Sequence, residues 1–119
     1  MIIKSIIIPV LLLFLLLSMS SYSEDYDKGL TSDQIAENYT KKIFDTGVIA
    51  AQNGDFATAA KEWGFLAERG FGFAQFNLGL LYLDGKGVLQ DYKEAVRLFR
   101  LAAEQGDADA QYNLGFMYS

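Results

Sequence analysis

Shifted by 36 residues, the sequence falls on itself. Residues 55–83 then pair with 91–119, and 11 of the 29 pairs are identical, among them Asp55/Asp91, Ala59/Ala95, Ala67/Ala103, Gly70/Gly106, Ala74/Ala110, Gln75/Gln111, Asn77/Asn113, Gly79/Gly115 and Tyr82/Tyr118. Other pairs keep size and polarity, such as Trp63/Phe99, Phe65/Leu101, Phe76/Tyr112 and Leu80/Phe116. A period of this length marks stacked supersecondary units, each of which buries its apolar face only against a neighbour presenting the same face.

Each period holds two helical stripes. Ala74, Leu78, Leu81 and Tyr82 form one, and Ala95, Leu98, Phe99 and Ala102 the other, each at the three-and-four spacing of a single helix face. Asp91 is placed to cap the second helix, with Glu94 three residues on to close a capping box, and Asp55 stands in the same place one repeat earlier. Gly70 and Gly106 end the helices. Alanines 59, 67, 95 and 103 and glycines 79 and 115 are small where helix backbones should approach closely. An earlier helix is expected from Thr31, whose hydroxyl and the Gln34 side chain have capping-box spacing, to Asn53-Gly54.

Ala74-x-x-x-Leu78-Gly79-x-x-Tyr82, followed by Gly85-Lys86-Gly87-Val88, Asp91, Ala95, Phe99, Ala102-Ala103 and Gly106, resembles one complete Sel1-like repeat, a relative of the tetratricopeptide repeat with a longer loop between its helices. Residues 107–118 match the first helix of a further repeat. The segment from Phe44 to Gly70 is closer to a tetratricopeptide unit, because Gly47 aligns with Gly79 at an offset of 32 and Ala50 replaces the tyrosine. The resemblance implies an all-α, right-handed solenoid of antiparallel helix pairs, about two and a half repeats long: a degenerate unit over 31–70, a complete one over 71–106 and a truncated one over 107–119.

The N-terminal 23 residues read as an export signal. Lys4 precedes an apolar run from Ile6 to Leu17, broken only by Pro9, and small polar residues follow through Ser23. The run is shorter than the roughly 20 residues a membrane span needs but suits the apolar region of a secretory leader, about 7 to 15 residues. Cleavage before Glu24 leaves residues 24–30 as a short acidic linker and no membrane attachment, and the chain is expected to be periplasmic or secreted. Losing Lys4 sets nine basic side chains against fifteen acidic ones, a balance that argues against a nucleic-acid partner.

Chemistry is sparsely provided. With no His and no Cys, the usual acyl-transfer and metal-hydrolase constellations cannot be assembled, and no catalytic, cofactor-binding or metal-ligating residue is expected. Gly85-Lys86-Gly87 is too short for a phosphate-binding loop and is followed by Val88 rather than Ser or Thr, so it reads as a turn whose valine tucks back between helices. Paired carboxylates are the one enzymatic option left. The second functional class is therefore an envelope enzyme or wall-polymer-binding protein using acids such as Asp84 and Asp109.

The leading expectation is an exported adaptor. The resemblance implies that the first helix of each pair lines a concave groove receiving a protein or peptide, and the positions beside the packing stripe are Phe73, Phe76, Asn77, Leu80, Asp84, Tyr112, Asn113 and Phe116, with Lys41, Phe44, Asp45 and Val48 extending it backward. Rings would supply apolar area and the asparagines would bond a peptide backbone. Phe76 and Tyr112 equally suit packing of repeat on repeat, and the asparagines bonding to a neighbouring helix. After Tyr118-Ser119 the second helix of the last unit is missing. The expected accounts are a fragment continuing into further repeats, which is preferred, or self-association that covers Leu114, Met117 and Tyr118.

Overall fold

The computed structural model describes residues 28–119. Its regular structure is α1 (Ser32–Gln52), α2 (Phe56–Glu68), α3 (Gly72–Asp84), α4 (Tyr92–Glu104) and α5 (Ala108–Tyr118), with no strand among the described residues. The expected leader and most of the expected linker lie outside the described residues. No described helix is long and apolar enough to cross a membrane. Two compact units divide within α1, after Tyr39. In the first, the Thr31 N–H donates to Gln34 Oε1 (2.9 Å) and the Gln34 N–H to Thr31 Oγ1 (3.3 Å), the reciprocal box that the spacing predicts.

The second unit, residues 40–119, is an all-α solenoid built from the repeats. Aspartates cap α2, α4 and α5, where Asp55, Asp91 and Asp107 accept from the backbone N–H groups of Thr58 (3.1 Å), Glu94 (3.0 Å) and Ala110 (2.8 Å), whereas α3 starts after Phe71 with no side-chain cap. The box expected at Glu94 does not close. The Asp91 N–H donates instead to Tyr82 O at 2.9 Å, tying the start of α4 to the body of α3, and the Glu94 carboxylate turns to Arg97. A tertiary acceptor has taken the donor that the box would have used.

Between α3 and α4 the chain turns at Gly85, in the left-handed region with φ 66°. Gly87 lies so close to the carbonyl of Phe56 that a side chain there would overlap the backbone at the start of α2. Val88 packs against the core as expected, while Leu89 beside it points into solvent.

The core has two centres. Trp63, Leu66, Leu78, Leu81 and Leu98 form one, with Phe44 and Val48 of α1 packed against it. Phe99, Ala95, Ala102 and Ala110 form the other, flanked by Phe76, Leu80, Leu114 and Met117. Both are organised by a ring laid on a glycine. A Cβ on Gly79 would stand 2.7 Å from the Phe99 ring, and one on Gly47 would be 2.8 Å from Cδ1 of Trp63. Missing side chains let the helices approach until the ring of one fills the gap in the other. Phe99 is fully buried, and deleting such a ring typically costs about 3–5 kcal/mol.

Gly115, one repeat on from Gly79, has open space around it. Two substitutions at equivalent positions should therefore act in opposite directions. Gly79→Leu is expected to lower the unfolding free energy by about 1–3 kcal/mol through overpacking, and Gly115→Ala to raise it by about 0.5–1 kcal/mol through helix propensity. Urea unfolding curves measure both, and shifts of the same sign would dismiss ring packing as the reason for the glycine at 79.

Candidate functional site

Three consecutive first helices carry the same three-residue cradle at i, i+3 and i+4. On α1 it is Phe44, Gly47 and Val48, and it holds Trp63, whose ring centroid is 6.1 Å from that of Phe44 at an interplanar angle of 33°. The indole Nε1–H donates to Phe44 O at 3.3 Å. On α3 it is Phe76, Gly79 and Leu80, and it holds Phe99, 5.7 Å from Phe76 at 42°. On α5 it is Tyr112, Gly115 and Phe116, whose aromatic side chains are 75 % and 73 % exposed.

The residues expected to line a groove thus fall into groups. Phe76 and Leu80 are half-buried against the Phe99 cluster, and the Phe76 ring packs on Phe99 of the second helix of the same repeat. Tyr112 and Phe116 occupy the same places on α5, and Phe116 faces a cleft of about 980 Å³ that also takes in Leu83, Tyr92, Val96 and Met117. Phe73 remains accessible, its ring standing edge-on to Phe44 with centroids 4.8 Å apart. Asp84 ends α3, exposed, with Lys86 Nζ 4.0 Å away. Lys41 and Asp45 pair with each other at 2.5 Å.

The asparagines bond neither a neighbouring helix nor each other. Asn77 Nδ2 donates to Phe73 O (2.7 Å) and Asn113 Nδ2 to Asp109 O (2.8 Å), each one turn back on its own helix. The tether orients both carboxamides alike and uses one of the two amide hydrogens.

Two polar arrangements lie outside the expected groove. Gln75, only 3 % exposed, donates to Ala67 O (3.3 Å) and accepts from Gln105 Nε2 (2.9 Å), which also donates to Gly70 O (2.9 Å). Gln111 repeats the first bond, reaching Ala103 O at 3.2 Å. The identity of Gln75 and Gln111 in the repeat was the available signal. The second arrangement is the ion pair on α4, where Arg97 meets both Glu94 oxygens at 2.8 and 2.5 Å. Those hydrogen bonds hold the Glu94 carboxyl below its ordinary 4.5, against the opposing effect of partial burial. No cluster of three or more acids able to hold a metal occurs among the described residues.

Comparison with known proteins agrees with this architecture. The Sel1 repeat family matches residues 72–107 and 108–119. Among solved structures, a Sel1 repeat protein from Oxalobacter formigenes is 30% identical with a TM-score of 0.64, over 86% of this chain and 43% of that one. A protective antigen present in uropathogenic Escherichia coli strains and displaying an SLR fold is 36% identical with a TM-score of 0.62, over 70% of this chain and 19% of that one. The chain thus spans less than half the length of either. No curated protein matches the sequence.

The ion pair carries a pH signature. Because the folded pKa of Glu94 is depressed, its contribution is present above about pH 4.5 and lost as pH falls through the folded value. Removing the acid with Glu94→Gln should therefore destabilise the protein at neutral pH and make progressively less difference on acidification. Thermal melts of both proteins across that range provide the measurement, and a constant gap at every pH would refute the assignment.

Proposed function

The chain is a Sel1-like repeat protein, of a class whose members are in general non-enzymatic scaffolds mediating protein–protein interaction, and we propose that it is an exported adaptor holding a protein or peptide segment along its first helices. The observation that carries this reading is the twice-repeated tethered asparagine. Asparagine is a poor helix former, and a carboxamide bonded to its own preceding turn does nothing to join one helix to another. Yet Asn77 and Asn113 stand at the same point of consecutive repeats with the same geometry. What the tether leaves over is a carboxamide oxygen and one N–H on each residue, the acceptor and donor with which an extended backbone is bonded.

Phe73 supports the same reading. At 40 % exposed and braced by Phe44, it offers a rigid apolar surface one turn from Asn77, the pairing of anchor and hydrogen-bonding group that peptide sites use. Delivery outside the cytoplasm rests on the leader-like first 23 residues, and the acid-rich composition suits a chain that must stay soluble after export.

Two measurements test these points. Replacing Asn77 and Asn113 together with alanine should leave the unfolding midpoint within about 0.5 kcal/mol of the parent, while capture of a specific partner from an envelope fraction falls severalfold. Loss of folding with capture would assign the asparagines a structural role. Intact mass of the exported protein should lack residues 1–23, and a species retaining residues 1–17 would overturn the leader.

A further inference from the structure

Successive first helices present equivalent positions in rows: Lys41, Phe73 and Asp109 form one, and Asp45, Asn77 and Asn113 the row one turn on. On α3 and α5 the second row is all carboxamide, whereas the first passes from a ring to an acid. The Phe73 ring is braced by Phe44, edge-on at 4.8 Å, and by Phe71 at 5.5 Å and 37°. Asp109 is exposed. Its backbone carbonyl takes the Asn113 tether, and its carboxylate has no hydrogen bond or ion pair among the described residues.

Charge and spacing say what crosses these rows. Lys41 is answered by Asp45 at 2.5 Å, and Asp84 has Lys86 4.0 Å away, so the groove charge without a counter-ion is the Asp109 carboxylate, in a chain whose net charge is −5. The occupant that suits it is cationic. Both α3 and α5 pack on the Phe99 cluster, through Phe76 and Leu80 from one and Ala110 and Leu114 from the other, and helix axes packed in this way stand about 8–10 Å apart. In a polyproline II strand, which rises about 3.1 Å per residue, residues three apart face the same way at a separation of about 9 Å. Same-facing residues of a β-strand fall at about 7 or 13 Å and miss that spacing.

We infer, resting on the adaptor reading, that the segment held along the first helices is a polyproline II-like peptide with an apolar side chain on Phe73 and a lysine or arginine three positions away on Asp109. Asn77 and Asn113 bond its backbone beside those two contacts. The probe is an end-capped synthetic peptide, Gly-Pro-Leu-Pro-Pro-Lys-Pro-Gly, titrated into the full chain at low salt, with the side-chain carboxamide resonances of Asn77 and Asn113 as the readout. It should move both resonances. Replacing its lysine by glutamate should weaken binding about tenfold, replacing its leucine by alanine about tenfold, and moving the lysine one position closer to the leucine about threefold. Asp109→Asn in the full chain, which removes the charge and keeps the size, should bring the lysine and glutamate peptides to equal affinity with the melting midpoint near the parent's. Asp109→Lys should reverse their order.

Equal affinity of the parent chain for the lysine and glutamate peptides overturns the proposal, as does a preference for lysine that persists in Asp109→Asn. So does indifference to the leucine–lysine spacing, or the absence of any shift at millimolar peptide. These failures are separable from failure of the adaptor itself. If Asn77→Ala with Asn113→Ala abolishes partner capture while the peptides go undiscriminated, the basic polyproline II ligand is withdrawn and the adaptor stands. If capture survives that double substitution, the asparagine-lined groove is withdrawn and this ligand with it.

Discussion

Where Phe99 lies against Gly79, α3 and α4 approach so closely that even a methyl group on the glycine would overlap the ring, and the rest of the second unit is arranged around that approach. Ala95 and Ala102, fully buried on either side of Phe99, owe their small size to the same proximity. The Trp63–Gly47 contact does this again with a larger ring and an added indole hydrogen bond. Close packing of this kind is unforgiving, since interiors at crystalline density absorb neither an added methylene nor a missing one without loss. It also explains why a chain with so little interior can be ordered: dispersion and apolar burial are concentrated at a few ring contacts rather than spread thinly.

Polar interactions then set which helix lies where. The glutamine bridge from the buried Gln75 to Ala67, with the exposed Gln105 reaching Gly70 and Gln75, joins the ends of successive helix pairs. No buried side-chain nitrogen or oxygen among the described residues lacks a partner. Sliding one pair against the next would strand the buried Gln75 amide without a partner, which costs more than its bonds themselves contribute. Ion pairs have a smaller part, because Lys41–Asp45 is exposed, Glu94–Arg97 is only partly buried, and each joins residues on a single helix.

How much of this could be read beforehand follows from the range of each interaction. Helix starts at Thr31, Asp55 and Asp91 were legible because a cap acts across three residues, within the reach of a pattern. The helix pairs were legible because the repeat prints each stripe twice. At Glu94 the pattern offered two partners, the Asp91 N–H three residues back and Arg97 three residues on, and the choice was made by Tyr82, which no local rule includes. The small residue at 79 was flagged, but the ring it accommodates is 20 positions away, and the Gln75–Gln105 contact spans 30. The candidate site was the least legible part. Phe76 and Leu80 look the same in sequence whether they face a ligand or a neighbouring ring, and the back-bonding of Asn77 and Asn113 is one of several options open to a helical carboxamide.

Gly87 rests on the Phe56 backbone, so the loop between α3 and α4 is bedded on the helix pair before it. The sequence period and the mechanical module are consequently out of phase. A segment excised at the repeat boundary, residues 71–106, would take the loop and leave its bed behind. Transplanting this repeat into another solenoid, or permuting the chain, would therefore require a seam drawn upstream of Phe56, so that loop and support travel together.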